Sequence, residues 1–309
     1  MNAPLFTQTT IALVWDFDKT LIPGYMQRPL FERYGVDERR FWQEVNALNE
    51  QYRQMGCEQV SNELAYLNHV LEYTERGIFA GLNNAVLGEL GAALELYPGL
   101  PDFFARLRAF VRERPAFAHH DIQVEHYVVS TGFTRTIRGS AIAGQLDGVW
   151  GCEFVERDGE DGPVLHRIAY VLDNTTKTRA VFEINKGVNK HPEIDVNDAI
   201  PEADRRVPFQ NMIYIADGPS DVPVFSVINR NGGRTFGVYN PAKPREFKQV
   251  SRLQAQGRVN MIGPADYRDG TQTSMWLGNA VEEIAERIVR DRERALGDKV
   301  GRAPRHLND

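Results

Sequence analysis

Two stretches of the chain are apolar without a break: Ile11-Ala12-Leu13-Val14-Trp15 and Met212-Ile213-Tyr214-Ile215-Ala216. Such runs predict strands buried on both faces, as in a parallel sheet covered by helices. Residues 124–129 predict a further strand that runs into Ser130-Thr131-Gly132, and residues 235–239 and 259–262 predict two more. Residues 148–173 have β character, with two apolar-rich arms around the polar turn Asp158-Gly159-Glu160-Asp161-Gly162, which is the pattern of a hairpin.

Between the first strand and residue 97 the period changes. Phe41, Val45, Leu48, Tyr52 and Met55 recur at steps of three and four, as do Val60, Leu64, Leu67 and Leu71. A third segment carries Leu82, Val86, Leu87, Leu90 and Leu94. Ile22-Pro23-Gly24 reads as a turn out of the sheet, and Tyr97-Pro98-Gly99-Leu100-Pro101 as the return. Residues 102–113 then predict a helix with Phe103, Phe104, Leu107 and Phe110 inward, and residues 175–186 predict one that stops at Gly187. A last helix carries Val281, Ile284, Ala285, Ile288 and Val289, before a charged tail after Arg290 that is expected to fray. Strands alternating with helices imply an α/β fold with a Rossmann-like, doubly wound and mainly parallel sheet. The expected organisation is a core of residues 1–21 plus 98–309, an all-helical cap of residues 22–97, and a small β-hairpin flap.

Composition narrows the function. The 309 residues carry a net charge of -6, so no basic excess is available to release counterions from a nucleic-acid backbone. Cys57 and Cys152 are too few for a disulfide framework or a thiolate metal site. Residues 1–10 lack a charged region followed by an apolar stretch, and no window approaches a membrane span, so a cytoplasmic protein without a membrane partner is expected.

Chemistry gathers at the strand ends. Asp16 and Asp18 lie two apart after the first apolar run, so their side chains can converge on one small volume. Carboxylates leaving water need positive partners, and ligands of open α/β sheets bind at this edge. Ser130 and Thr131 end a second strand, and Asp217 and Asp221 follow another. Lys177 sits in the first turn of its helix, where the macrodipole disfavours a cation unless an anion is near. Lys186, the rival lysine, has a sufficient reason for its last-turn position in the same dipole. His119-His120 and the charged residues 290–294 read as solvated surface.

These residues resemble the motifs of the haloacid-dehalogenase superfamily, which is largely phosphatases. Asp16-Phe17-Asp18-Lys19-Thr20 resembles its first motif, Ser130 its second, Lys177 its third, and Asp217-Gly218-Pro219-Ser220-Asp221 its fourth, all in order. The resemblance implies that Asp16 is a nucleophile forming an aspartyl-phosphate and that Asp18 is the acid/base. It implies Mg²⁺ held by the Asp16 side chain, the Asp18 main-chain oxygen and Asp217, with Asp221 behind them orienting water or Lys177. Ser130 and Lys177 would bind the transferring oxygens, assisted by the Thr131 and Gly132 amides. The expected activity is Mg²⁺-dependent hydrolysis of a small phosphorylated metabolite.

The layout is nearest to the phosphoserine-phosphatase-like subgroup, which has a helical cap at this point and a later hairpin flap. That subgroup reads its substrate amine with a glutamate nine residues after the nucleophile, and this chain has Tyr25 there, so phosphoserine is not carried over. Tyr25, Gln27 and Arg28 are candidates for the substrate pocket. Ala216 and Pro219 depart from the fourth motif without removing a reactive group. Two alternatives remain open: a phosphotransferase or mutase using the same aspartyl-phosphate, and a catalytically silent phosphometabolite-binding protein.

Overall fold

The computed structural model describes residues 6–300, with side chains described through residue 296. The first five residues of the stretch read for a targeting signal, and the charged tail beyond Val300, lie outside the described residues. Strand β1 (Thr10–Trp15) is followed by helices α1 (Arg28–Tyr34), α2 (Glu38–Gln54), α3 (Asn62–Glu75) and α4 (Asn84–Ala92). Helix α5 (Asp102–Arg112) and the short α6 (Pro115–Ala118) lead into β2 (Gln123–Phe133) and α7 (Thr134–Gly139). Next come β3 (Gly148–Gly159), β4 (Gly162–Tyr170), α8 (Thr176–Lys186) and β5 (Met212–Ala216). The chain closes with α9 (Val222–Arg230), β6 (Arg234–Tyr239), α10 (Pro244–Ala255), β7 (Met261–Pro264) and α11 (Gln272–Val300).

The strands form one seven-stranded sheet in the order β4-β3-β2-β1-β5-β6-β7. Every neighbouring pair is parallel except β3 with β4. This is a doubly wound α/β sheet. The chain moves from β1 outward to β2 and returns to β5 on the other flank, so its topological switch point lies at the C-terminal end of β1. All residues of β1 and β5 are buried, as their unbroken apolar runs require. Inside the core the Trp15 indole donates to His126 Nδ1 at 3.2 Å, while His126 Nε2 meets the Phe104 carbonyl at 3.3 Å. These two partners set the neutral tautomer with its proton on Nε2, and burial pushes the His126 pKa well below its ordinary value.

Between β1 and α5 the described residues form helices and no strand. Side chains of Asp37, Ser61 and Asn83 cap the N-termini of α2, α3 and α4. The last of these helices is pinned to the sheet side by glycines. A Cβ added to Gly139 of α7 would lie 1.8 Å from the Gly88 carbonyl oxygen, and one added to Gly91 would lie 2.1 Å from that of Thr136. Only glycines allow α4 and α7 to approach so closely. The β3–β4 hairpin holds the same region from another side: the Leu165 amide donates to the Leu82 carbonyl at 2.9 Å, and Asn84 Nδ2 to that of Phe154 at 3.2 Å.

Three features differ from the expectations. The first half of β3 pairs with β2 in parallel before the strand runs on into its hairpin with β4, so the hairpin grows out of the main sheet. The chain does not leave its helix at Arg290, because α11 continues to Val300. His119 is exposed, but His120, read with it as solvated surface, is buried. Among the described residues no helix is long and apolar enough to cross a membrane.

Candidate active site

Adjacent parallel strands β1 and β5 end side by side, and the Asp16 amide donates to the Ile215 carbonyl at 2.9 Å. Asp16 therefore leaves its strand beside the loop that carries Asp217 and Asp221. Carboxylate oxygens from these three residues lie within 4.8 Å of one another. Lys177, in the first turn of α8, reaches into this group and donates to Asp16 Oδ1 at 2.9 Å and to Asp221 Oδ1 at 2.7 Å. Its helix position is unfavourable on dipole grounds alone, and these anions supply the compensation. Burial works against the Lys177 charge, but Asp16 and Asp221 more than offset it and hold its pKa above the ordinary value.

Asp221 is fully engaged. Its Oδ1 also accepts from the Tyr214 hydroxyl at 2.7 Å, and its Oδ2 accepts from Ser220 Oγ at 2.8 Å. Asp16 keeps one carboxylate oxygen clear of Lys177, and no hydrogen bond reaches the Asp217 side chain among the described residues. Burial, followed by the field of Asp16 and then Asp221, pushes the Asp217 pKa well above the carboxylate range. Asp16 is raised to about 6, mainly by burial, with Lys177 pulling down and Asp221 pushing up. Asp18 is raised to about 8 by burial and then by Asp16, although the Met26 amide donates to its Oδ1 at 2.9 Å.

A cavity of about 280 Å³ opens over these groups. Of the residues singled out in the sequence, Asp16, Asp18, Ser130, Thr131, Lys177 and Asp217 line it, as does Tyr25. Ser130 is buried, and its Oγ accepts from the Gly132 amide at 3.1 Å, so that amide is already occupied. The structure does not bring Arg28 into this cavity. Arg28 folds over Gly24, and lines a neighbouring hollow of about 210 Å³ with Glu32 and Glu95, a hollow that Tyr25 also borders. Gln27 lies deeper, buried, and donates to the Tyr66 hydroxyl at 2.8 Å.

Three lining residues had no signal of their own in the sequence. Lys19 stands between the two motif residues Asp18 and Thr20, with nothing in its spacing to single it out. Gln249 comes from α10 and donates to the Asp217 carbonyl oxygen at 3.1 Å. Ser220 was visible only as part of its loop, and Tyr214, which orients Asp221 from below, was visible only as a polar tip in an apolar run. Lys19 is half-buried. Burial opposes its charge, but the Tyr25 hydroxyl and the fields of Asp217 and Glu246 raise its pKa overall.

The donor set fits a hard divalent cation. Three crowded carboxylates share one lysine, and burial with mutual repulsion raises two of them, Asp16 and Asp217. A cation would relieve that repulsion, and carboxylate and carbonyl oxygens are the ligands that Mg²⁺ prefers. Because the oxygens of Asp221 are taken, Asp16 and Asp217 are the side chains with capacity left.

No family model matches the chain. A protein of Borreliella burgdorferi described as uncharacterized is 37% identical over 284 residues, spanning 87% of this chain and 96% of that protein. Among solved structures, a HAD family hydrolase from Salmonella enterica serovar Typhi superposes with a TM-score of 0.51 at 13% identity, covering 84% of this chain and 68% of that one. A probable phosphoserine phosphatase from Vibrio cholerae gives a TM-score of 0.50 at 14% identity, covering 91% and 68%. At such identities the likeness is one of fold. The chain belongs to one family with the Borreliella burgdorferi protein, and its own fold is similar to that of these two hydrolases.

Proposed function

We propose that this protein is a phosphomonoester hydrolase that uses Asp16 as nucleophile and Asp18 as acid/base on a small phosphorylated metabolite. The observation that carries the reading is geometric: Asp16, to which Lys177 donates at 2.9 Å, lines one cavity with Asp18, Ser130, Lys177 and Asp217. Burial raises Asp18 more than Asp16, the order that suits a general acid beside a nucleophile.

In the first step the free carboxylate oxygen of Asp16 attacks phosphorus and the bond to the leaving oxygen breaks. Asp18 gives its proton to that oxygen, releasing an alcohol and leaving an acyl phosphate on Asp16. In the second step Asp18, now ionised, takes a proton from water as the water attacks the same phosphorus. Phosphate departs, Asp16 is regenerated and Asp18 is again protonated. Lys177 holds Asp16 in a fixed orientation throughout, so little reorganisation accompanies the attack. Asp16, Asp217 and the Asp18 main-chain oxygen would hold Mg²⁺, which when bound supplies positive charge for the phosphoryl oxygens. Ser130 and the Thr131 amide, from residues that line the same cavity, would receive those oxygens.

The volume of the cavity, about 280 Å³, supports a small substrate rather than a phosphoprotein. The reading is tested by phosphate release from an aryl phosphate in the presence of Mg²⁺. Asp16→Asn is expected to abolish it, and full activity in that variant contradicts the assignment.

A further inference from the structure

Lys19 follows Asp18 in the turn after β1 and has φ of 57°, a left-handed conformation that side-chain-bearing residues rarely adopt. Such a conformation, when it occurs beside a site, is a reason to ask what the side chain does. The turn places Lys19 in the wall of the cavity that contains Asp16 and Ser130. Its ammonium donates to the Tyr25 hydroxyl at 2.5 Å and stands 4.1 Å from the centre of the same ring. The contrast with Lys177 is sharp. Lys177 is locked between two carboxylates, whereas Lys19 makes no ion pair among the described residues.

A cation whose partner is a neutral phenol is exchangeable, because a hydrogen bond between two charged groups is roughly twice as strong as one with a neutral partner. Tyr25 is 43% exposed and belongs to the segment leading into α1, so this pair sits toward the solvent side of the cavity. A ligand whose phosphoryl group meets Asp16 would present its alcohol portion there.

We propose that Lys19 recognises a second anionic oxygen group on the substrate, carried by the alcohol portion, and that Tyr25 is the partner it leaves when that group arrives. The inference rests on the phosphomonoesterase reading of the cavity and narrows its substrate class to phosphomonoesters that are also acids.

The test is calorimetric binding, with Mg²⁺ present, of three non-hydrolysable compounds to the full chain: propylphosphonate, 3-phosphonopropionate and ethane-1,2-bisphosphonate. The wild type is expected to bind at least one of the doubly charged compounds about tenfold more tightly than propylphosphonate, the scale of one charge-assisted contact. Which of the two wins tells a carboxylate from a second phosphate. Lys19→Met should bring that ratio to within about twofold of one, and Lys19→Arg should retain most of it. Equal binding of all three by the wild type, or a preference that persists in Lys19→Met, overturns the role of Lys19 alone. Failure of all three to bind removes the phosphoryl site itself, and both readings fall.

Discussion

Lys177 and Asp221 meet at 2.7 Å, with side chains only 1% and 0% exposed. A buried pair of this kind is poor evidence of net stabilisation, but breaking it from one side leaves charge uncompensated. Lys177→Met strands both Asp221 and Asp16. It is expected to lower the free energy of unfolding by about 3–5 kcal/mol, measured by urea denaturation. Adding Asp221→Asn should recover part of that loss, with a coupling of about 1–3 kcal/mol, while phosphatase activity stays absent in both variants. A double variant no more stable than the single one contradicts the pairing.

The carboxyls of the site set a pH dependence for the metal-free protein. Asp16 and Asp18 rise from 3.8 to about 6 and about 8, and Asp217 also rises. A raised carboxyl binds its proton more tightly when folded. Its contribution is full below the unfolded value and is lost as pH climbs through the folded one. In chelator, stability should therefore decline as pH increases from about 4 to 8. Mg²⁺ should restore it increasingly with concentration, since it binds the folded site. Thermal melts between about pH 6.5 and 8, where His126 adds no slope, check both effects with and without Mg²⁺; metal-free stability that does not decline there would refute the crowding.

His126 acts with the opposite sense on the acid side. Burial depresses its pKa, so its favourable contribution is complete above about 6.5 and drains away as pH falls toward the folded value. His126→Gln should flatten the stability profile below about pH 6.5, whatever its effect at neutral pH. An unchanged slope would mean that the buried ring is already protonated in the native state.

Gly139 and Gly88 tie the helical segment to the sheet through backbone contact. Gly139→Ala places a methyl group where the Gly88 carbonyl stands, so α4 must shift. A loss of about 1–3 kcal/mol is expected, together with faster proteolysis within residues 22–97. Ala at Gly144, where an added Cβ meets nothing within 4 Å, serves as the control.

Much of this site was legible because strand ends announce themselves. The runs before Asp16 and Asp217 are apolar on both faces, so the first carboxylate after each is conspicuous. Lys177 was found by a contradiction: a cation at a helix N-terminus asks for an anion, and Asp16 and Asp221 answer it. Gln249 was not legible, because α10 buries only Val250 and Leu253 and its apolar stripe is too thin to mark a helix. Helix α9 escaped for the reverse reason: Val222, Val224, Val227 and Ile228 are β-branched and read equally well as strand. Arg28, three residues after Tyr25, lines only the neighbouring hollow, whereas Tyr25 lines both. Lys19 carries no signal in the sequence, since its left-handed backbone turn decides where its side chain goes.

The central claim is that Asp16 becomes covalently phosphorylated. Multiple turnovers of an aryl phosphate in ¹⁸O-water cannot label Asp16 if water attacks phosphorus, but acid-quenched enzyme should carry one phosphoryl group on the peptide containing Asp16. Mass spectrometry of quenched wild type and of Asp18→Asn measures this directly; that variant lacks the base of the second step, while an aryl leaving group has little need of the acid in the first. The account predicts phosphoryl on Asp16 in both; phosphate release without any modified Asp16, or with the group on another residue, would contradict it.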